Sequence, residues 1–136
     1  MKIICLLLFF FSLNSFAEER FRKDKKGLIH DSKFSVVWFL IDYNYYTYAK
    51  AKNICDSYLG KLPTKEQLQS ILHNDGIYEK PISYFSGLSG NYWTSTVIDG
   101  YPMRMNLDGG GMHMYDKPES KHKVLCLRWI SYLLLK

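Results

Sequence analysis

The chain has 136 residues, 47% of them hydrophobic and 23% charged, with a formal net charge of +5 at pH 7. Its mean hydropathy of −0.20 is that of an ordinary globular domain, which excludes a multi-pass membrane protein and a chain too polar to bury a core. Nothing in the composition names a substrate.

Residues 1–17 read as a secretory leader. Met1-Lys2 is a short positive start, Ile3 to Phe11 an apolar run, and Ser15-Phe16-Ala17 a small-x-small cleavage site. The run is too short to span a bilayer as a helix. Removing the first 17 of 136 residues leaves 119, enough for one core and too few for two domains. Lys2 leaves as well, so the formal charge falls from +5 to +4. The expected location is therefore the periplasm, the cell surface or the medium. Cys5 lies inside the leader and precedes the end of the apolar run, so no lipobox is present. Two cysteines remain, Cys55 and Cys126. Export to an oxidising compartment allows one pairing between them, worth about 4 kcal/mol by chain entropy. Two buried free thiols are the alternative.

Residues 18–27 form a basic N-terminal segment, with Arg20, Arg22, Lys23, Lys25 and Lys26 diluted by Glu18, Glu19 and Asp24. It reads either as a surface for anionic partners or, more plainly, as a solvated, mobile terminus. Export leaves no role for nucleic acid. Leu28 to Ile41 is strand-like, rich in β-branched and aromatic residues, with a turn at Asp31-Ser32. Asp42 to Tyr46 is a tyrosine-rich loop. Thr47 to Leu59 reads as a helix whose Ala51, Ile54, Cys55 and Tyr58 share a face, with Gly60 ending it in the left-handed position. Thr64 and Gln67 form a capping box at the start of a second helix, with Leu68, Ile71 and Leu72 as its apolar stripe and Asn74-Asp75-Gly76 as its end. Residues 76–91 read as irregular.

The rest reads as β structure. Tyr92 to Val97 is a strand and Asp99-Gly100 a turn. From Tyr101 to Leu107 the chain alternates, with Tyr101, Met103, Met105 and Leu107 on one face and Arg104 and Asn106 on the other. Asp108 to Gly111 is a tight connection, and Met112 and Met114 continue the apolar face on the return strand. Asp116 to His122 is a charged loop, and Lys123 to Ile130 the last strand. Strand, helix, helix, then antiparallel strands is an α+β layout.

In this order, Asp31 to Trp38, the helix with Cys55 and Gly60, Lys61-Leu62-Pro63-Thr64, Tyr92-Trp93-Thr94-Ser95-Thr96 and Leu125-Cys126-Leu127-Arg128 resemble the bacterial C-type lectin-like domains of the Lcl C-terminal family. The likeness spans residues 31–128. The tip domain of the intimin and invasin adhesins is a more distant relative of that fold. The resemblance implies two helices packed on a small antiparallel sheet, one Cys55–Cys126 disulfide, and buried Trp38 and Trp93 as structural core. It implies the layout 28–130 for the domain, followed by a short apolar tail, 131–136. Two family positions differ mildly: Lys61 stands where the family has arginine, and Lys33 to Trp38 replaces a Thr-Gly-Leu-Met-Trp run. Calcium-dependent lectins of this fold read sugars through a long loop bearing Glu-Pro-Asn or Gln-Pro-Asp. The corresponding gap here, about Val97 to Gly100, is too short for the six to eight oxygens Ca²⁺ takes, and neither triplet occurs. The resemblance thus carries the fold and not the calcium site.

No catalytic set stands out. His30, His73, His113 and His122 lack zinc spacing, Ser89 is not in a nucleophile elbow, and the acidic residues are scattered singly. Met103, Met105, Met112 and Met114 are expected on one sheet face, an arrangement that suits core packing and also a Cu(I) site. No metal or cofactor is assigned. The expected recognition surface lies on loops: Tyr78, Tyr84 and Phe85 in one, Asp108, Gly109 and Gly110 in the other. The expected function is calcium-independent, non-catalytic binding of an envelope or extracellular protein or glycan, adhesin-like in character. An enzyme related to the formylglycine-generating folds, or an envelope inhibitor or immunity-type protein, is the alternative. The apolar tail from Trp129 to Leu135 either docks on its own domain or meets another chain.

Overall fold

The computed structural model describes residues 19–74, 79–108 and 113–130, with the side chains of 73–74 and 79–81 left aside. It is an α+β molecule: two helices on antiparallel sheets, closed by one disulfide. A four-stranded sheet runs in the order β1 (Phe21–Lys23), β2 (Ile29–Asp31), β3 (Val36–Leu40) and β9 (Leu125–Trp129). Helix α1 covers Tyr48–Ser57 and helix α2 Lys65–Gln69. A short hairpin follows, β4 (Leu72–Asn74) with β5 (Glu79–Pro81), and then a single 3₁₀ turn at Ser83–Phe85. The second larger sheet is β6 (Asn91–Ile98), β7 (Tyr101–Asn106) and β8 (His113–Tyr115).

The four-stranded sheet is a wall between two cores. Val36, Trp38, Leu125 and Leu127 alternate into one, with Leu68 of α2, Phe85, Tyr92, Met105 and Leu107. Phe39, Val124 and Cys126 alternate into the other, with Ala51 and Cys55 of α1 and Trp93. Strands apolar on both faces are what a doubly covered sheet requires. The disulfide Cys55–Cys126, with Cα atoms 5.5 Å apart, joins α1 to β9 inside the second core. Trp38 and Trp93 are both fully buried, and each has its indole N–H satisfied, by Asp31 Oδ2 at 2.9 Å and by the Tyr46 carbonyl at 2.7 Å.

Several local expectations hold. Thr64 with Gln67 makes the reciprocal capping box on α2; on α1, Thr47 stands just outside the helix as its N-cap. Asp99 and Gly100 both take positive φ (51° and 81°) in the two-residue β6–β7 turn, which is the geometry that Asp-Gly favours.

Others are corrected. The basic segment is no free terminus. Phe21–Lys23 is an edge strand, and the Arg20 guanidinium grips both carboxylate oxygens of buried Asp31 at 2.8 Å and also bonds Ser70. The left-handed residue after α1 is Leu59 (φ 59°), not Gly60. Gly60 is needed because a Cβ there would lie 2.7 Å from the Leu127 carbonyl oxygen and 2.9 Å from the Phe39 ring. Tyr58 of the expected buried face is exposed, because the helix stops at Ser57. Helix α2 ends at Gln69, and Leu72–Asn74 is a strand: the Ile71 carbonyl accepts from the Ile82 amide, so the chain reverses into a hairpin instead of winding on. The methionines do not share a face. Met103 and Met105 are buried, but Met114 lies opposite Arg104, is exposed, and its sulfur accepts from the guanidinium at 3.3 Å. Met112 lies outside the described residues.

Candidate functional site

Between the four-stranded sheet and the segment 83–88 lies a groove of about 560 Å³. Its floor is apolar, made by Trp38, Leu40, Phe85, Leu88 and Leu125; Tyr84 and Tyr43 form walls, and Lys23, Gly27 and Ile29 of the β1–β2 hairpin close one side. The groove exists because the 3₁₀ turn drops Phe85 into the core. Phe85 packs edge-on against Phe21 and Trp38, with ring centroids 5.4 and 5.6 Å away. The turn's next carbonyls then hold Ser86 and Leu88 in place, and the neighbouring Tyr84 is left at the surface beside Phe21, 5.9 Å between centroids. Tyr43 is displayed by the loop after β3. There Asp42 accepts from the Asn44 amide and from the Tyr46 hydroxyl at 2.6 Å, which fixes the loop while its own ring stays 59% exposed.

Lys23 is the one charged residue of the lining and has no ion pair among the described residues. The turn beyond it carries Lys25 and Lys26, both exposed. Its acid, Asp24, is occupied: the amides of Lys26 and Leu28 donate to one oxygen, and the His30 ring lies 2.9 Å from the other. That hydrogen bond to His30 is the main reason the Asp24 carboxyl sits below its ordinary range.

Beneath this end of the molecule Tyr92 is fully buried, and its hydroxyl has no hydrogen-bond partner among the described residues. Burial, reinforced by the neighbouring Tyr43, Tyr45 and Asp108, pushes its ionisation up to about 12. Lys123 sits over the rings of Tyr45 and Tyr92 at 5.7 and 5.9 Å and donates to the Ser89 carbonyl.

The expected recognition residues separate. Tyr84 lies on the groove as an exposed wall. Phe85, expected as a surface contact, is instead a core residue, 2% exposed, because its ring fills the space over Trp38. Asp108 is exposed at the end of β7, its amide bonded to Asn106, and does not line the groove. Tyr78, Gly109 and Gly110 lie outside the described residues, as does the tail 131–136.

A second polar cluster escaped the reading of the sequence. Asp116 accepts from Arg104 at 3.2 Å and from Ser120 at 3.1 Å, and lies 2.9 Å from the ring of His122. Arg104 also donates to Asn91. His122 stands edge-on to Trp93, 4.5 Å between centroids. Burial holds the His122 ring below its usual range although Asp116 pulls the other way. The Ser120 hydroxyl is taken by the carboxylate and not by the imidazole, so the three do not form a nucleophile relay of the Ser-His-Asp kind. Spacing gave little signal for this cluster, since Arg104 and Asp116 meet only through β7–β8 pairing. Tyr43 did leave one: a dense run of tyrosines in a loop is an exposed aromatic surface unless something covers it.

Among the described residues no group of three or more His, Cys, Asp and Glu side chains is placed to hold a metal ion, and no helix is long and apolar enough to cross a membrane. Comparison with known proteins finds no matching family model, no matching curated protein and no matching solved structure.

Proposed function

We propose that this is an exported, non-catalytic binding module of the C-type lectin-like type. It takes an envelope or extracellular protein or glycan in the groove between Tyr43 and Tyr84, without calcium. The observation that carries the reading is the groove itself: an apolar floor built on Trp38 and Phe85, with two exposed aromatic walls and one cation, Lys23, that has no ion pair among the described residues. Aromatic side chains on a fixed scaffold give large contact area at low entropic cost. The C-type lectin-like assignment is supported by the order of elements, by the α1–β9 disulfide and by the two buried tryptophans. The calcium-independent reading is supported by a β6–β7 connection of only Asp99 and Gly100. The enzyme alternative calls for reactive cysteines, and Cys55 and Cys126 are bonded to each other.

The test pairs a glycan array with pull-down from envelope and surface extracts, comparing the native chain with Tyr43→Ala and Tyr84→Ala. Each substitution is expected to weaken capture of a specific partner at least about tenfold, as loss of a hot-spot aromatic does. Both variants should keep the native melting transition. Undiminished binding by both would remove the groove from the function.

A further inference from the structure

The groove has a direction. Cross-strand partners point their side chains to the same face of a sheet. Lys23, Ile29 and Trp38, paired in turn across β1, β2 and β3, therefore form one row. Leu40 and Leu125, paired across β3 and β9, lie on the same face in the next row. From β1 to β9 the sheet takes three strand spacings, about 14 Å, which is the length of about four extended residues. One end is cationic: Lys23 is on the edge strand, and exposed Lys25 and Lys26 follow in its turn. The other end, at Leu40 and Leu125, is apolar. Among the described residues no aspartate or glutamate lines the groove. The acids beside its lining in the sequence are engaged, Asp24 by the amides of Lys26 and Leu28 and by His30, and Asp42 by the Asn44 amide and the Tyr46 hydroxyl. The positive charge at the β1 end is left for an anion from outside.

Floor and rim together narrow what that anion is. The floor offers no free polar side-chain group: Leu40, Phe85, Leu88 and Leu125 are hydrocarbon, and the Trp38 indole N–H is taken by Asp31. A sugar ring laid there would bury hydroxyls without partners, which an apolar side chain of leucine or phenylalanine size would not. The rim is different. Ser83 and Ser86 are exposed, and so are Gly27 and Gly87, where a Cβ would meet nothing within 4 Å. Hydroxyls and bare main chain at the rim are of no use to an acyl chain. They suit a peptide, which brings a donor and an acceptor with nearly every residue.

We propose that the groove binds an extended acidic segment of a partner protein, with an apolar side chain on Leu40 and Leu125 and a carboxylate on Lys23. This rests on the groove's being the binding site and names its ligand class, peptide and not glycan. Lys25 and Lys26 draw further acids to the β1 edge, so binding weakens as salt rises.

The probe is a library of capped peptides with a central leucine and randomised flanks, selected on the purified chain and measured by fluorescence anisotropy. Selection should enrich aspartate and glutamate in the flanks. For the best peptide, Lys23→Glu, or amides in place of the peptide's acids, should raise the dissociation constant at least about tenfold, with the melting transition of the Lys23 variant unchanged. Lys121→Glu makes the same change in net charge outside the groove and should alter it by less than about twofold. Selection of peptides without acids overturns the proposal, as does equal weakening by Lys121→Glu and Lys23→Glu. If no peptide is selected at millimolar concentration, while Tyr43→Ala and Tyr84→Ala abolish capture of a glycan, the acidic peptide falls and the groove stands. Saturable binding of decanoate, lost in Lys23→Glu and unaccompanied by any selected peptide, assigns the groove to an acyl ligand and also overturns it. Acidic peptides bound equally well by the native chain, Tyr43→Ala and Tyr84→Ala overturn the groove itself.

Discussion

Asp31 ties β2 to the residue before β1 and to β3. Fully buried, it binds Arg20 through both oxygens, Trp38 through its indole N–H and the Lys33 amide. Burial alone would push its carboxyl up; Arg20, Trp38 and Lys33 together hold it below the ordinary value of 3.8. Because the folded value is the lower one, the stabilisation is complete above pH 3.8 and is lost as pH falls through the folded value. Asp31→Asn replaces an acceptor oxygen with an N–H that confronts either the guanidinium or the indole. It should cost about 2–3 kcal/mol at neutral pH, read by urea titration. The native chain should lose stability more steeply than the variant below pH 3.8. A variant with native stability at neutral pH would show that Arg20 and Trp38 are satisfied elsewhere.

At the scale of elements, what could be read in advance was what local chemistry decides. The Thr64–Gln67 box and the Asp99-Gly100 turn each follow from a few adjacent residues, and the structure contains both. The misreadings arise where distant segments decide. Gly60 looked like a helix stop, but its missing Cβ serves the close approach of β9, where Lys61 and Leu127 exchange backbone hydrogen bonds at 2.8 and 3.0 Å. Leu72 continued an apolar helical stripe until the Ile82 amide claimed the Ile71 carbonyl. Phe85 was aromatic and lay in a loop, two signs of a surface contact, and its packing on Phe21 and Trp38 of the four-stranded sheet makes it core. The groove was half legible: Tyr84 came from its loop, while Tyr43 and Lys23 depend on a hairpin and a sheet that the sequence does not bring together. Gly60→Ala should accordingly destabilise by about 1–3 kcal/mol through overpacking, measured by thermal melting. An unstrained alanine there would mean that α1 and β9 stand further apart.

For the whole molecule the decisive link is Cys55–Cys126, 71 residues apart in sequence. It closes most of the described chain into one loop, so its main effect is on the unfolded ensemble. Cys126→Ser together with Cys55→Ser should cost about 4 kcal/mol and lower the melting temperature by the same amount as reduction of the native chain. Equal stability with and without reductant would show that the two cores hold without the covalent tie. The four-stranded sheet makes that tie matter in a second way. In a strand with one wet face, a slip by one residue turns oily side chains out into water, and polarity alone forbids it. In β3 and β9 neighbouring side chains enter two different interiors, so a slipped strand would still bury apolar surface on both sides. The penalty for misalignment must then come from volume and from fixed points. The sulfur bridge at Cys126 and the Leu127 carbonyl that closes on Gly60 are neighbouring points of β9, and between them they dictate which residue goes to which side.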